Sequence, residues 1–169
     1  MSINFFFLLL VGLLIGMYGY FNPDYSALDD NKETPQIELS HFTLYEISQK
    51  GIDHILQGSE GKKFESYYVI TSAKFSDNTK NLFQSVRSDN ADYRNDILKL
   101  NGNVRYVRED GLEFRSNEGT YNSKESLIKT QGTFVITQNA NRIDGTTLHY
   151  NTAQDTVSAN RVIGVYQLK

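Results

Sequence analysis

Cysteine and tryptophan are absent from the 169-residue chain, and only two prolines occur, Pro23 and Pro35. Without cysteine there is no disulfide framework and no thiolate metal site, so the fold must hold through its apolar contacts. Ten Phe and eleven Tyr supply them. The chain also lacks a run of basic residues: its acids and bases are interspersed and the net charge is −3. Nucleic-acid binding needs a basic stripe, so no nucleic-acid partner is expected. The three histidines, His41, His54 and His149, are scattered, whereas a metal site needs ligands at convergent spacing. No Gly-x-Ser-x-Gly elbow occurs. The glycine-rich piece at 58–61 is not followed by a helix or by Lys-Ser/Thr, so it is no phosphate loop. Asp110-Gly111 and Asp144-Gly145 read as turns in preference to acid/base pairs. No catalytic residue, metal or cofactor is expected, and the chain reads as a non-enzyme.

The one long hydrophobic run is residues 3–21, which carry no charge and end in Tyr18, Tyr20 and Phe21. About 20 apolar residues of helix cross a bilayer core. A cleaved secretory signal would need a basic start and a small-x-small cleavage site, and neither is present. Residues 1–22 are therefore expected to be a permanent transmembrane anchor with an interfacial aromatic belt. Asp24, Asp29 and Asp30 come directly after it, and no Lys or Arg precedes the run. That flank is free to cross, placing the chain from residue 23 onward outside the cytoplasm. Gly12 and Gly16 form a G-x-x-x-G pair, which either seats a partner helix or reflects the ordinary abundance of glycine in membrane helices. Residues 23–36 are polar and acidic, hold both prolines, and read as a tether.

Residues 37–169 read as nearly all strand. Short strands are expected at Ile37–Leu39, Phe42–Ile47, Ile52–Gln57, Tyr67–Phe75 and Leu82–Ser88, with turns at Ser48–Gly51 and Gly58–Lys63. After them one design recurs. Leu98-Lys99-Leu100-Asn101-Gly102-Asn103-Val104-Arg105-Tyr106 and Ile128-Lys129-Thr130-Gln131-Gly132-Thr133-Phe134-Val135-Ile136 both alternate apolar and polar residues around a central glycine. Period two buries one face of a strand, and a glycine inside it marks a bulge or a close approach. A small-x-Tyr step and turn residues precede each copy, and Asp-Gly comes after each. A weaker third copy starts at His149. The tyrosines at 93, 121 and 150 are about 28 residues apart. The expected fold is all-β, a two-sheet sandwich or open jelly roll with a single N-terminal helix before it.

The inward face of this domain is the candidate site. Leu98, Leu100, Val104 and Tyr106 share one side, joined by Leu112 and Phe114, then by Ile128, Phe134 and Ile136, then by Leu148 and Tyr150. Either these side chains only pack on one another, or the two sheets stand apart and leave an apolar trough. The last strand candidate, Val162-Ile163-Gly164-Val165-Tyr166-Gln167-Leu168, has no charge before Lys169. Edge strands are usually blunted by charge or proline, so a bare one suits strand addition by a partner; the alternative is a place inside the sheet.

With its anchor, acidic tether and repeated β-units, the chain resembles the LptC family, the bitopic lipopolysaccharide-export component of Gram-negative bacteria. The residues carrying the likeness are Leu98–Val104, Ser116-Asn117-Glu118-Gly119-Thr120-Tyr121, Thr130-Gln131-Gly132-Thr133-Phe134, and Ile143-Asp144-Gly145 to Tyr150. The N-terminus departs from the family in lacking basic residues before the helix. The resemblance implies an OstA-like β-jellyroll in the periplasm, held at the inner membrane. It implies a conduit that accepts lipopolysaccharide from an inner-membrane ATP-binding-cassette transporter and passes it to a periplasmic bridge protein of the OstA-like type. Leu98, Leu100, Val104, Tyr106, Phe114, Ile128, Phe134, Ile136, Leu148 and Tyr150 would line the trough. Val162, Ile163, Val165 and Tyr166 would pair with the bridge protein, and Gly12 and Gly16 would face the transporter. A reading from another class is a membrane-tethered module binding glycan or protein on its outer face, with a tightly filled interior and exposed Tyr67, Tyr68 and Tyr166 as contacts.

Overall fold

The structure is a computed structural model that describes residues 33–167. The transmembrane expectation for residues 1–22, Gly12 and Gly16 included, lies outside the described residues, as does most of the tether; among the described residues no helix is long and apolar enough to cross a membrane. From Thr34 onward the chain forms one unit. It contains nine strands: β1 (Ile37–Ser48), β2 (Gly51–Lys63), β3 (Tyr67–Asp77), β4 (Gln84–Arg94), β5 (Ile97–Arg108), β6 (Leu112–Asn122), β7 (Leu127–Gln138), β8 (Asn141–Asn151) and β9 (Thr156–Val165). Each pairs antiparallel with the next, in the order β1-β2-β3-β4-β5-β6-β7-β8-β9, so β1 and β9 are the two edges.

The expected two sheets are thus one hydrogen-bonded sheet. What divides it is a crease that every long strand crosses near its middle. Ladder register shifts between Arg87 and Asn90, Asn101 and Val104, Ser116 and Thr120, and Thr130 and Thr133. On β8 it shifts on both sides of Thr146. Positive φ falls on the same line: His41 at 47°, Ser72 at 52°, Gly102 at 77°, Asn103 at 48°, Thr147 at 54° and Arg161 at 50°. Bulges bend a strand and add twist. Left-handed backbone at a non-glycine residue costs roughly 1–2 kcal/mol, so its recurrence across the sheet marks a bend the packing demands. Hydroxyls take up the carbonyls released there: Ser88 Oγ donates to Asn90 O at 2.9 Å and Ser116 Oγ to Glu118 O at 2.7 Å. Ser116 and Thr130 also share a hydrogen bond of 2.8 Å. Among the described residues no buried side-chain N or O lacks a partner.

Three expectations about the strands change for the same reason. Ile37–Leu39 and Phe42–Ile47 are halves of β1, because His41 kinks the strand without ending it. Gly58–Lys63 lies within β2. Its glycines leave room for a ring: a Cβ on Gly58 would stand 2.8 Å from Phe42 Cε1, and one on Gly61 2.7 Å from the same atom. Asp144-Gly145 lies within β8, and the turn before it is Asn139-Ala140, with Asn139 at φ 55°. Gly145 likewise leaves room for the ring of Phe134. By contrast, Asp110-Gly111 is a turn, with Gly111 at φ 84°. Asn95-Asp96, both at positive φ, closes a two-residue hairpin between Arg94 and Ile97.

The buried apolar side chains are few: Ala73, Ala91, Val104, Phe134 and Leu148. All five flank the crease. The dry core of this domain is a line along the fold of the sheet, and the walls on either side are only half covered.

Candidate functional site

Residues paired across neighbouring strands share a face, and the ladder lines up two apolar rows running from one edge of the sheet to the other. On one side of the crease the row is Ile37, Lys63, Tyr68, Tyr93, Leu98, Tyr121, Ile128, Tyr150 and Val157. On the other it is Leu44, Leu56, Phe75, Val86, Tyr106, Phe114, Ile136, Ile143 and Gly164.

Tyr150 brings the rows face to face. Its hydroxyl pKa is raised, first by its hydrogen bond to Asp155 and by burial, then by the charges of Asp155 and Tyr106, while the cation of Arg108 opposes the rise. Tyr106 pairs in register with Phe114, Ile136 and Ile143, and Ile143 lies seven residues before Tyr150 on β8. In a flat sheet seven residues of strand alone would separate them by about 23 Å. Electrostatic contact at that separation would be screened away. The sheet therefore bends at the crease, which brings the two rows toward each other.

The residues singled out from the sequence divide between walls and floor. Leu98, Leu100, Ile128 and Tyr150 stand on one wall, and Tyr106, Phe114 and Ile136 on the other. Val104, Phe134 and Leu148, at 4 %, 2 % and 8 % exposure, form the floor. Phe114 and Phe134 stack at 6.0 Å between centroids. Leu112 sits one row further out, opposite Gln138. The structure adds Tyr68, Tyr93 and Tyr121 to the first wall and Leu44, Leu56, Phe75, Val86 and Ile143 to the second. Tyr93 and Tyr121 are legible in sequence as residues before turns, and Tyr68 reads there as an outer-face contact; only the register makes all three wall residues.

Beyond the second wall runs a polar rail on the same face. Tyr106 donates its hydroxyl to Gln84 Oε1 at 2.7 Å, and Gln84 Nε2 donates to Asp77 Oδ2 at 3.1 Å. His54 stands between Glu46 at 2.8 Å and Asp77 at 3.4 Å. Burial pushes the Asp77 carboxyl up, but the Thr79 hydroxyl and backbone N–H, Gln84 and the charge of His54 outweigh it and hold the group below its ordinary range. Burial is also the main reason the Tyr106 hydroxyl is raised. Arg108 forks onto Asp110 at 2.9 and 2.8 Å, and Gln138 reaches the same carboxylate at 3.1 Å. Chemically the site is a pair of apolar rows, the second of them edged by a hydrogen-bonded polar line. Among the described residues no group of His, Cys, Asp and Glu is placed to hold a metal.

Both edges are bare. Val162, Ile163, Val165 and Tyr166 are exposed, Ile163 at 69 %, and on β1 so are Ile37, Leu39, Leu44, Tyr45 and Ile47. The last strand thus lies at an edge of the sheet, not inside it.

Comparison with protein families gives a match to the model described as lipopolysaccharide-assembly, LptC-related, over residues 7–166. The chain belongs to the LptC-related family. Membership carries a role in lipopolysaccharide transport among that machinery's other components, as a non-enzymatic member, and the family is periplasmic and anchored at the inner membrane. No match among curated proteins accompanies it. Among solved structures the chain is similar to LptH of Pseudomonas aeruginosa, described as the LptA-homologous periplasmic component of the conserved lipopolysaccharide transport device. The identity is 11 %, the TM-score is 0.51, and the match covers 78 % of this chain and 94 % of that one. At that identity the likeness speaks for the fold: the creased antiparallel sheet of this LptC-related chain is OstA-like, as in LptH.

Proposed function

We propose that the gap between the two walls is a trough for the acyl chains of lipopolysaccharide, and that the domain is a β-jellyroll of one creased sheet. The chain receives the lipid from an inner-membrane ATP-binding-cassette transporter and passes it to a periplasmic bridge protein. The observation that carries this reading is the pair of facing apolar rows above a core that stops at the crease. Burying each methylene of a lipid chain there contributes about 0.8 kcal/mol, while the polar lip and the sugars stay in water. The rows run at right angles to the strands, so the trough opens at β1 and β9. Edge-to-edge strand addition would prolong it into a neighbour of the same build. In this arrangement Val162, Ile163, Val165 and Tyr166 on β9 meet the bridge protein and β1 meets the transporter. Residues 1–22 form the single membrane span, with Gly12 and Gly16 toward the transporter, and residues 23–36 the tether.

A surface-binding module would need a solidly filled interior, and the five buried apolar side chains among the described residues do not make one. Photo-crosslinking in cells tests the trough. Probes at Leu98 and Ile136 should form lipopolysaccharide adducts, whereas one at Arg105, on the opposite face of β5, should not. Adducts from Arg105 and none from either wall would overturn the reading.

A further inference from the structure

The opposite face of the sheet carries a row of another kind. Lys74 pairs with Arg87, Arg87 with Arg105, and Arg105 with Arg115. Four cations therefore stand abreast on β3 to β6 at steps of about 4.8 Å. They alternate along their strands with Phe75, Val86, Tyr106 and Phe114, so they point away from the slot. Like charges directly opposite one another destabilise a sheet, and this row sits in a chain of net charge −3. One carboxylate stands among them: Glu113 accepts from Arg105 at 2.7 and 3.0 Å and from Arg115. Lys74 and Arg87 have no ion pair among the described residues. The side chains are accessible, Arg115 at 64 % and Arg105 at 38 %.

The row also has a concavity. Arg87, Arg105 and Arg115 line an open cleft of about 470 Å³ together with Asn103, Asn117 and Phe134. Glu113 is held by two of these arginines, and Asp89 Oδ2 is occupied by Asn103 Nδ2 at 2.7 Å. Three arginines, whose planar forks match phosphate oxygens two at a time, border a space the size of a phosphorylated sugar, with a lysine extending the row. Arg105 and Arg115 share one carboxylate while Lys74 and Arg87 have none among the described residues, so the row carries surplus positive charge beside the cleft, and a bound phosphate would offset it.

We propose that this cleft, opened on the face that carries the cation row, is a phosphate-binding site taking a phosphorylated headgroup. The phosphate could belong to a glycolipid's sugar or to a bilayer phospholipid, and the test distinguishes them. Binding to the full-length chain in nonionic detergent would be titrated with inorganic pyrophosphate, glucosamine 6-phosphate, and micelles doped with phosphatidylglycerol or with phosphatidylcholine. Saturable binding that Arg87→Gln with Arg115→Gln weakens about tenfold, as expected for losing charge-assisted bonds, supports the site. Glu113→Gln should tighten binding several-fold by releasing two guanidinium groups, an effect a purely structural row would not give. Tighter binding of the phosphosugar points to the glycolipid, and tighter binding of phosphatidylglycerol micelles to the bilayer. Lys99→Gln with Lys129→Gln removes the same charge elsewhere and should change affinity less than twofold. Absence of saturable binding to every probe, or an equal loss in this control, overturns the proposal. If the arginine pair does not fold, Lys74→Gln with Arg87→Gln takes its place.

Discussion

At the scale of single residues, the glycines divide by what surrounds them. A Cβ on Gly145 would lie 2.6 Å from Phe134 Cζ and 3.3 Å from the carbonyl of Asn160. Phe134 is 2 % exposed and has nowhere to retreat. Gly145→Ala should therefore destabilise the domain by about 1–3 kcal/mol, the usual range for overpacking, read as a lower urea midpoint. Gly132 has no neighbour within 4 Å of its would-be Cβ. Gly132→Ala should stay within about 0.5 kcal/mol of the parent. Gly102 is different again, at φ 77° with the Asp89 side chain where a Cβ would stand. The two glycines that look equivalent in the sequence repeat are thus not equivalent: one fixes the crease and the other merely lies near it. Glu113 makes a second prediction at this scale. Hydrogen bonds from Arg105, then from Arg115, lower its pKa from 4.5 to about 2. A carboxyl depressed on folding contributes stability that is complete above its unfolded pKa and fades as pH falls through its folded one. The stability lost by Glu113→Gln should therefore be largest above about pH 4.5 and should shrink toward zero near pH 2. Urea melts across that window check it, and a difference that stays constant with pH would refute it.

Among elements, β9 is where fold and function can be separated. Its N–H groups point alternately to β8 and outward, and only the outward ones could serve a partner. Proline placed singly at 162, 163, 164 and 165 should give two interleaved outcomes. Substitutions that remove a β8 bond should lower stability, whereas substitutions that remove an outward N–H should spare stability and abolish capture of the bridge protein. Thermal melts with co-purification test this, and capture that ignores the alternation would remove β9 as the partner edge. Strands are also the scale at which the sequence is most and least readable. Alternation in Leu98–Tyr106 and Ile128–Ile136, and the turns at Asn95-Asp96 and Asp110-Gly111, arise from local pattern and turn chemistry, and the structure agrees. The crease is announced only at Gly102-Asn103, because elsewhere it uses positive φ at residues such as Ser72, Thr147 and Arg161, where nothing in the residue type announces a bend. Glycines at 58, 61 and 145 mislead for a related reason: they accommodate rings from a neighbouring strand, a demand made by register and not by their own flanks. The same holds for the sites. The apolar rows on β5 to β8, proposed above as trough walls, are legible from alternation. The outward cations at 74, 87, 105 and 115 look dispersed along the chain, and only strand pairing gathers them.

For the molecule as a whole, the unusual quantity is how little of the described domain is dry. A domain of this length ordinarily closes a continuous core, yet here the buried apolar residues trace only the crease, and the facing rows leave their tyrosines and leucines half in water. The folded state is thus short of apolar burial in the very place where a lipid chain would supply it. Ligand that binds only the folded form stabilises by RT ln(1 + [L]/Kd), about 2.7 kcal/mol at a hundredfold excess over Kd. For a domain of this size that is a rise in Tm on the order of 10 °C. The full-length chain in nonionic detergent should show such a rise with intact lipopolysaccharide. The fully deacylated saccharide should leave Tm unmoved if the acyl chains are what the trough holds. Replacing Tyr106 and Ile136 together by Asp, which puts charge on one wall without touching the crease, should remove most of the rise. A deacylated saccharide that stabilises as strongly as the whole lipid would place the binding energy in the polar lip or on the outer cations, and the apolar rows would then need another occupant.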